Sequence, residues 1–199
     1  MCTDLTMPSM LGYFMTMLYN PNNVAIECSP LGIVAEIEVG EQLCELFGFN
    51  NKPNTANEPT AWGHITSGGT AANLESMWVA RNLKFYPLSL RKAIDDPDGP
   101  LRFLPESFTV RTCQGRRKKF RELSTWELLN LQPKTILDIP ERLQAEFGIT
   151  PKWLDTALDP YNIQTIGKDV LQRHFEIEQE PQYFVSSTKH NSWPKSAGK

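Results

Sequence analysis

Gly63-His64-Ile65-Thr66-Ser67-Gly68-Gly69-Thr70-Ala71-Ala72-Asn73 runs without a break into Leu74-Glu75-Ser76-Met77-Trp78-Val79-Ala80-Arg81-Asn82-Leu83-Lys84-Phe85. The first part reads as a short strand over 62–66 entering a Ser-Gly-Gly-Thr turn. The second reads as a helix over 74–85, with Leu74, Met77, Trp78 and Arg81 at helical spacing. A glycine turn that opens a helix leaves backbone N–H groups free where the helix dipole favours negative charge, so it suits a phosphate. The two glycines admit left-handed angles and close backbone approach, and Thr70 adds a hydroxyl donor. An ordinary tight turn before a helix has the same appearance. The rest of the chain has to decide between them.

Upstream, the apolar stretch 7–18 predicts a core helix running to about Tyr19 and ended by Asn20-Pro21-Asn22-Asn23. It is too short to span a membrane and lacks the basic start of a signal peptide. Residues 34–47 predict a second helix, stopped by Gly48 and Asn50, and a polar loop over 51–59 follows. Downstream, 91–121 reads as a long irregular stretch containing Arg116-Arg117-Lys118-Lys119. No aromatic residues interleave with that basic run, so a solvated loop is expected rather than an anion-binding surface. Ser124-Thr125-Trp126-Glu127 has the spacing of a capping box for a helix through Leu131. Residues 134–147 have a helical pattern that Pro140 either kinks or splits. Thr150-Pro151 suits a cap and first-turn proline for a helix over 152–158. Residues 167–178 read as helix, and the β-branched and aromatic stretch 183–187 as a strand.

These elements describe an α/β layout, with helices packed on a mostly parallel sheet. So few strands are visible that the chain is expected to be part of a larger fold. Its 199 residues suffice for one sizeable domain, and 40% hydrophobic and 10% aromatic content is that of a globular protein. A net charge of −3 argues against non-specific nucleic-acid binding. Cys2, Cys28, Cys44 and Cys113 form no CxxC pair or zinc-like spacing, so reduced thiols and a cytoplasmic setting are expected.

The three histidines, His64, His174 and His190, form no metal-binding pattern, and no metal site is expected. His174 lies in a polar helical stretch and reads as a surface residue. His64 beside the glycine turn reads as structural or functional. His190 follows the expected strand over 183–187, and in open α/β sheets ligands bind just past the carboxyl ends of strands. An ordinary loop histidine is the other reading.

The segment from Gly63 to Phe85 resembles the phosphate-binding segment of the group II pyridoxal-phosphate-dependent amino-acid decarboxylases. Ser187 to Gly198, STKHNSWPKSAG, is similar to the family segment carrying a histidine that stacks on the cofactor ring. LGYFMTMLYNPNNVAIECSP from Leu11 and STWELLNL from Ser124 are similar to the tyrosine decarboxylase subgroup of bacteria and fungi. The resemblance implies part of the large domain of the aspartate-aminotransferase-like (type I) fold across 1–199, without the rest of that domain or the small domain. It also implies a carboxy-lyase acting on an L-amino acid, aromatic before glutamate, as a cytoplasmic homodimer. No nucleic-acid or membrane partner is expected.

By position, Gly69 and Thr70 would hold the phosphate of pyridoxal phosphate. His190 would lie over its pyridine ring and take part in proton transfer after carbon dioxide leaves. The family's Schiff-base lysine stands in a His-Lys pair well downstream of the stacking histidine. Lys189-His190 has the reverse order, so Lys189 is not assigned that role, and the chain alone is expected to be inactive. A non-catalytic module for folding or dimerisation is the alternative. Gly32-Ile33-Val34 after Ser29-Pro30 replaces residues that are polar in the family, which alters that part of the expected substrate pocket.

Overall fold

Backbone hydrogen bonding separates helices from the rest of this chain clearly, and most of the described residues are helical. The computed structural model describes residues 4–52, 60–104, 106–179 and 181–197. Cys2, most of the expected loop over 51–59 and Gly198 lie outside the described residues. The chain divides into two compact units, Met1–Ser67 and Gly68–Lys199.

In the first unit α1 spans Met7–Tyr19. Asn20 ends it in the left-handed region, at φ 43°, and returns its N–H to the Thr16 carbonyl. The helix forms where expected, but it is not a core helix. None of its residues is buried, and Leu11, Phe14, Met15 and Leu18 are all exposed. The second helix, α2, spans Pro30–Phe47 and starts four residues before the expected Val34. Pro30 fits a first turn that needs no N–H there, and Ile33 N–H already bonds the Ser29 carbonyl. Gly48 closes α2 at φ 74°, where a side chain would be strained.

Residues 60–66 form no strand. They cross α2 instead, where Gly63 and Gly40 bring two backbones together. A Cβ on Gly40 would stand 2.6 Å from the Gly63 carbonyl oxygen. Glu36 on the same helix accepts from Ile65 N–H at 2.8 Å and from Asn23 Nδ2 at 3.2 Å. The backbone N–H of Ile65, then Asn23, hold the Glu36 carboxyl below its ordinary range.

In the second unit α3 spans Gly69–Asp95, well past the expected end at Phe85, with Pro87 inside it. The proline costs the helix about 3 kcal/mol relative to alanine. Leu88, Leu90, Ala93 and Ile94 beyond it are buried. Each large aliphatic side chain gains roughly 1.5–3 kcal/mol on burial, so packing outweighs the break.

The expected irregular stretch over 91–121 therefore begins as helix. It continues through turns to an antiparallel hairpin of β1 (Thr109–Arg111) and β2 (Arg117–Lys119), with Val110 opposite Lys118. The basic run is not a solvated loop: Lys118 Nζ lies 2.8 Å from Glu127 Oε2, and Lys119 pairs with Glu122 at 3.1 Å. Ser124 and Glu127 form both arms of the capping box, at 3.2 and 2.8 Å, and open α4 (Thr125–Leu129). Pro140 belongs to a new helix rather than a kink. The expected single helix is α5 (Pro133–Leu137) followed by α6 (Ile139–Phe147). Thr150 caps α7 (Pro151–Leu158) as expected, accepting from Trp153 N–H at 3.4 Å. After α8 (Ile163–Ile166), α9 covers only Lys168–His174 of the helix expected over 167–178, and Glu176 turns the chain at φ 52°. Irregular residues with a turn at 187–188 lead to α10 (Ser192–Ala197). Phe108, Phe120, Leu128, Ile139, Leu143, Leu154 and Leu171 join the second half of α3 in one core.

The mostly parallel sheet is absent among the described residues, whose one sheet is the β1–β2 hairpin. Residues 62–66 and 183–187 form no strand, Ser187 standing in a turn, and neither segment meets a partner strand among the described residues. No helix among the described residues is long and apolar enough to cross a membrane.

Candidate active site

The start of α3 is open to ligand on its backbone side. Gly68, just outside the helix, lies at φ 167° and ψ 162°, extended rather than left-handed, and Gly69 is already helical. The expected left-handed angles are therefore not what the glycines supply. They supply space: a Cβ at either position would meet nothing within 4 Å. The first helical bond runs from Ala72 N–H to the Gly68 carbonyl at 3.2 Å. The N–H groups of Gly69, Thr70 and Ala71 precede it, no side chain caps them, and no acidic residue stands in the first turn. Thr70 is exposed, with its hydroxyl on the same turn.

Although 121 positions separate Gly69 from His190, the chain folds the histidine's loop back onto this helix. α10 packs against α3. Asn73, one turn beyond Gly69 on the same face, donates from Nδ2 to Ser192 Oγ at 2.8 Å. Ser192 Oγ lies 3.0 Å from His190 Nδ1, and Ser192 N–H donates to that nitrogen at 3.2 Å. Ser192 is 2% exposed, whereas His190 is exposed, so a buried hydroxyl anchors an accessible ring. Further along α3, Tyr183 donates its hydroxyl to the Met77 carbonyl at 2.8 Å and pins the segment before the histidine. Burial pushes the Tyr183 phenol up, keeping it a neutral donor.

His174, in the last turn of α9, is exposed as expected and sits 3.4 Å from Lys92 Nζ. Its partial burial and the Lys92 charge lower its pKa. His64 is an exposed residue of the first unit, where its charge helps lower the Glu36 pKa. Among the described residues no group of three or more His, Cys, Asp or Glu could hold a metal ion. Cys28 is exposed, and Cys28, Cys44 and Cys113 are free thiols.

A concavity of about 430 Å³ elsewhere in the second unit is lined by Asn82, Tyr86, Leu154, Asp155 and Ile163 among others. Asn82 Oδ1 and the Tyr86 hydroxyl are buried with no hydrogen-bond partner among the described residues. Burial, then the Asp155 charge, pushes the Tyr86 phenol well up. The residues lining it hold no nucleophile paired with a base.

No family model matches the chain. Individual proteins do. It is 33% identical over 197 residues to an L-tyrosine decarboxylase of Enterococcus faecalis, covering 99% of this chain and 24% of that protein. It is 32% identical over 197 residues to an L-tyrosine decarboxylase of Levilactobacillus brevis, with the same coverage. A third, from Enterococcus faecium, is 33% identical over 196 residues, 98% of this chain and 24% of the relative. This chain is a relative of L-tyrosine decarboxylases. The likeness runs along almost the whole chain, so it takes in both the glycine turn and the His190 loop, and the chain spans about a quarter of the relatives' length.

For a tyrosine decarboxylase relative, the residues present fit the phosphate end of pyridoxal phosphate. Uncapped donors, an exposed hydroxyl and open space coincide at the start of α3, and a tethered histidine ring belongs to the same unit. Gly69, Thr70 and His190 could be singled out by type and position in the sequence. Asn73, Ser192 and Tyr183 were missed. The signal for the first two was there: Asn73 lies four residues after Gly69, one helical turn, and Ser192 two after His190, the spacing of a local side-chain turn.

Proposed function

We propose that this chain supplies the phosphate-binding and ring-covering part of a pyridoxal-phosphate-dependent L-amino-acid decarboxylase. Tyrosine is the favoured substrate, glutamate the second. The observation that carries the reading is the Asn73–Ser192–His190 chain of hydrogen bonds, which brings the two motif segments to one place on α3. The likeness to named L-tyrosine decarboxylases along almost the whole chain supports the reaction class.

In this reading the N–H groups of Gly69 and Thr70 and the Thr70 hydroxyl bind the phosphate, helped by the helix dipole. His190 presents its free ring edge to the cofactor and holds a proton at Nε2. Pyridoxal phosphate, when bound, draws off the electrons released as the bond to the carboxylate breaks. Lys189 is not proposed as the lysine that binds the cofactor covalently. Residues 1–199 are proposed as part of the type I large domain, acting in a cytoplasmic homodimer. In that larger fold the segments 62–66 and 183–187 gain strand partners that are absent among the described residues.

Binding of pyridoxamine 5′-phosphate tests the site, because it has the phosphate and ring but no aldehyde to react with surface lysines. Titrated calorimetrically, the chain should bind it more tightly than pyridoxamine. Thr70→Ala should weaken binding about ten- to a hundredfold, the loss of one hydrogen bond of roughly 1.5–3 kcal/mol to a charged group. His174→Ala, away from the cluster, should leave binding unchanged. Equal affinity for pyridoxamine with and without the phosphate would remove the assignment.

A further inference from the structure

His190 is held through one nitrogen only, and the direction of that hold has chemical consequences. Ser192 N–H can only donate, so Nδ1 at 3.2 Å is the acceptor and the neutral ring carries its proton on Nε2. The Ser192 hydroxyl beside the same nitrogen has an oxygen that accepts from Asn73 Nδ2. With that lone pair engaged, the hydroxyl proton turns to Nδ1. Every link then donates the same way, from Asn73 through buried Ser192 to His190.

We infer that Asn73 and Ser192 are positioning residues that keep His190 in its Nε2–H tautomer, and that Asn73 couples this setting to ligand at the start of α3. The coupling rests on the phosphate site proposed above. The tautomer does not, because it follows from hydrogen bonds within the chain. The outcome is a neutral ring whose accessible edge offers a proton, while the edge facing α3 accepts.

Nitrogen-15 spectra of the histidine-labelled chain, recorded where His190 is neutral, read the tautomer directly. The wild type should show Nδ1 unprotonated and Nε2 protonated. Asn73→Asp replaces a donor with a carboxylate that only accepts, so the Ser192 hydroxyl turns round and offers Nδ1 a lone pair. The tautomer ratio should then move towards Nδ1–H by about fivefold, the equivalent of one net hydrogen bond of about 1 kcal/mol. In a Ser192→Ala background the same replacement should leave the ratio unchanged. Asn73→Ala is the milder variant, removing the donor without adding charge, and should move the ratio the same way by less.

An equal response to Asn73→Asp with and without the Ser192 hydroxyl would overturn the inference, since the charge would then act through space. So would an Nδ1–H ring in the wild type. Added pyridoxamine 5′-phosphate should shift the His190 signals more in the wild type than in Asn73→Ala, where only direct contact between ligand and ring remains. If the tautomer results held while the ligand left His190 unmoved, the coupling and the phosphate site would fall together and the tautomer assignment would stand.

Discussion

Replacing Gly40 with alanine should loosen the segment that leads into the glycine turn while tightening the helix that carries the change. The new Cβ would stand 2.6 Å from the Gly63 carbonyl oxygen and 3.1 Å from its carbonyl carbon, both backbone atoms with no side chain to swing aside. Overpacking of this kind costs typically about 1–3 kcal/mol. In the helix itself, alanine is better than glycine by about 1 kcal/mol. The two effects act on different equilibria: α2 stays helical whether or not 60–66 is docked, so undocking feels the clash alone. Amide hydrogen exchange separates them, because Ile65 N–H is held by the Glu36 carboxylate across this contact. Its exchange should quicken about five- to a hundredfold, by the conversion of about 1.4 kcal/mol per factor of ten. Amides in the middle of α2 should slow or stay as they are. Gly12→Ala in α1, where nothing lies within 4 Å, is the control and should leave Ile65 alone. Unchanged exchange at Ile65 in Gly40→Ala would mean that the two glycines do not form the contact.

Acid should release the same segment. The Glu36 carboxyl is held below its ordinary value of 4.5, so its contribution is fully present above that pH and is lost as pH falls through the lowered folded value. A carbon-13 titration of Glu36 should show a midpoint below 4.5, and Ile65 protection should vanish with it; a midpoint above 4.5 would contradict the bond. Phe108→Ala should cost about 3–5 kcal/mol in urea unfolding of the second unit. Its ring is 1% exposed, packs on Phe120 and Phe147 at centroid distances of 5.7 and 6.0 Å, and lies under the Arg142 guanidinium at 5.0 Å. A loss under about 1 kcal/mol would show that the site collapses to fill the space.

What the sequence determined by itself is local. The capping box at Ser124, the Thr150 cap before Pro151, the Asn20 and Gly48 ends of α1 and α2 and the opening of α3 at the glycine turn each depend on residues a few positions apart. Such contacts form in the same way wherever the segment sits. The candidate residues Gly69, Thr70 and His190 were legible for a related reason, since their types and their neighbours in the chain carry the resemblance.

The tertiary structure decided everything that needs a distant partner. Strand character at 62–66 and 183–187 is only a capacity for pairing, and without a neighbouring strand among the described residues neither segment becomes a strand; one crosses α2 and one is pinned to α3 by Tyr183. Pro87 argues locally for a helix end, but the burial of Leu88, Leu90 and Ile94 carries α3 through it. The apolar pattern of α1 predicted a core position, and no neighbour among the described residues buries it. Ser192 and Asn73, 119 residues apart, meet only because α10 returns to the first turns of α3. A buried hydroxyl needs a donor or acceptor wherever the fold can bring one, and no local spacing says which residue that will be.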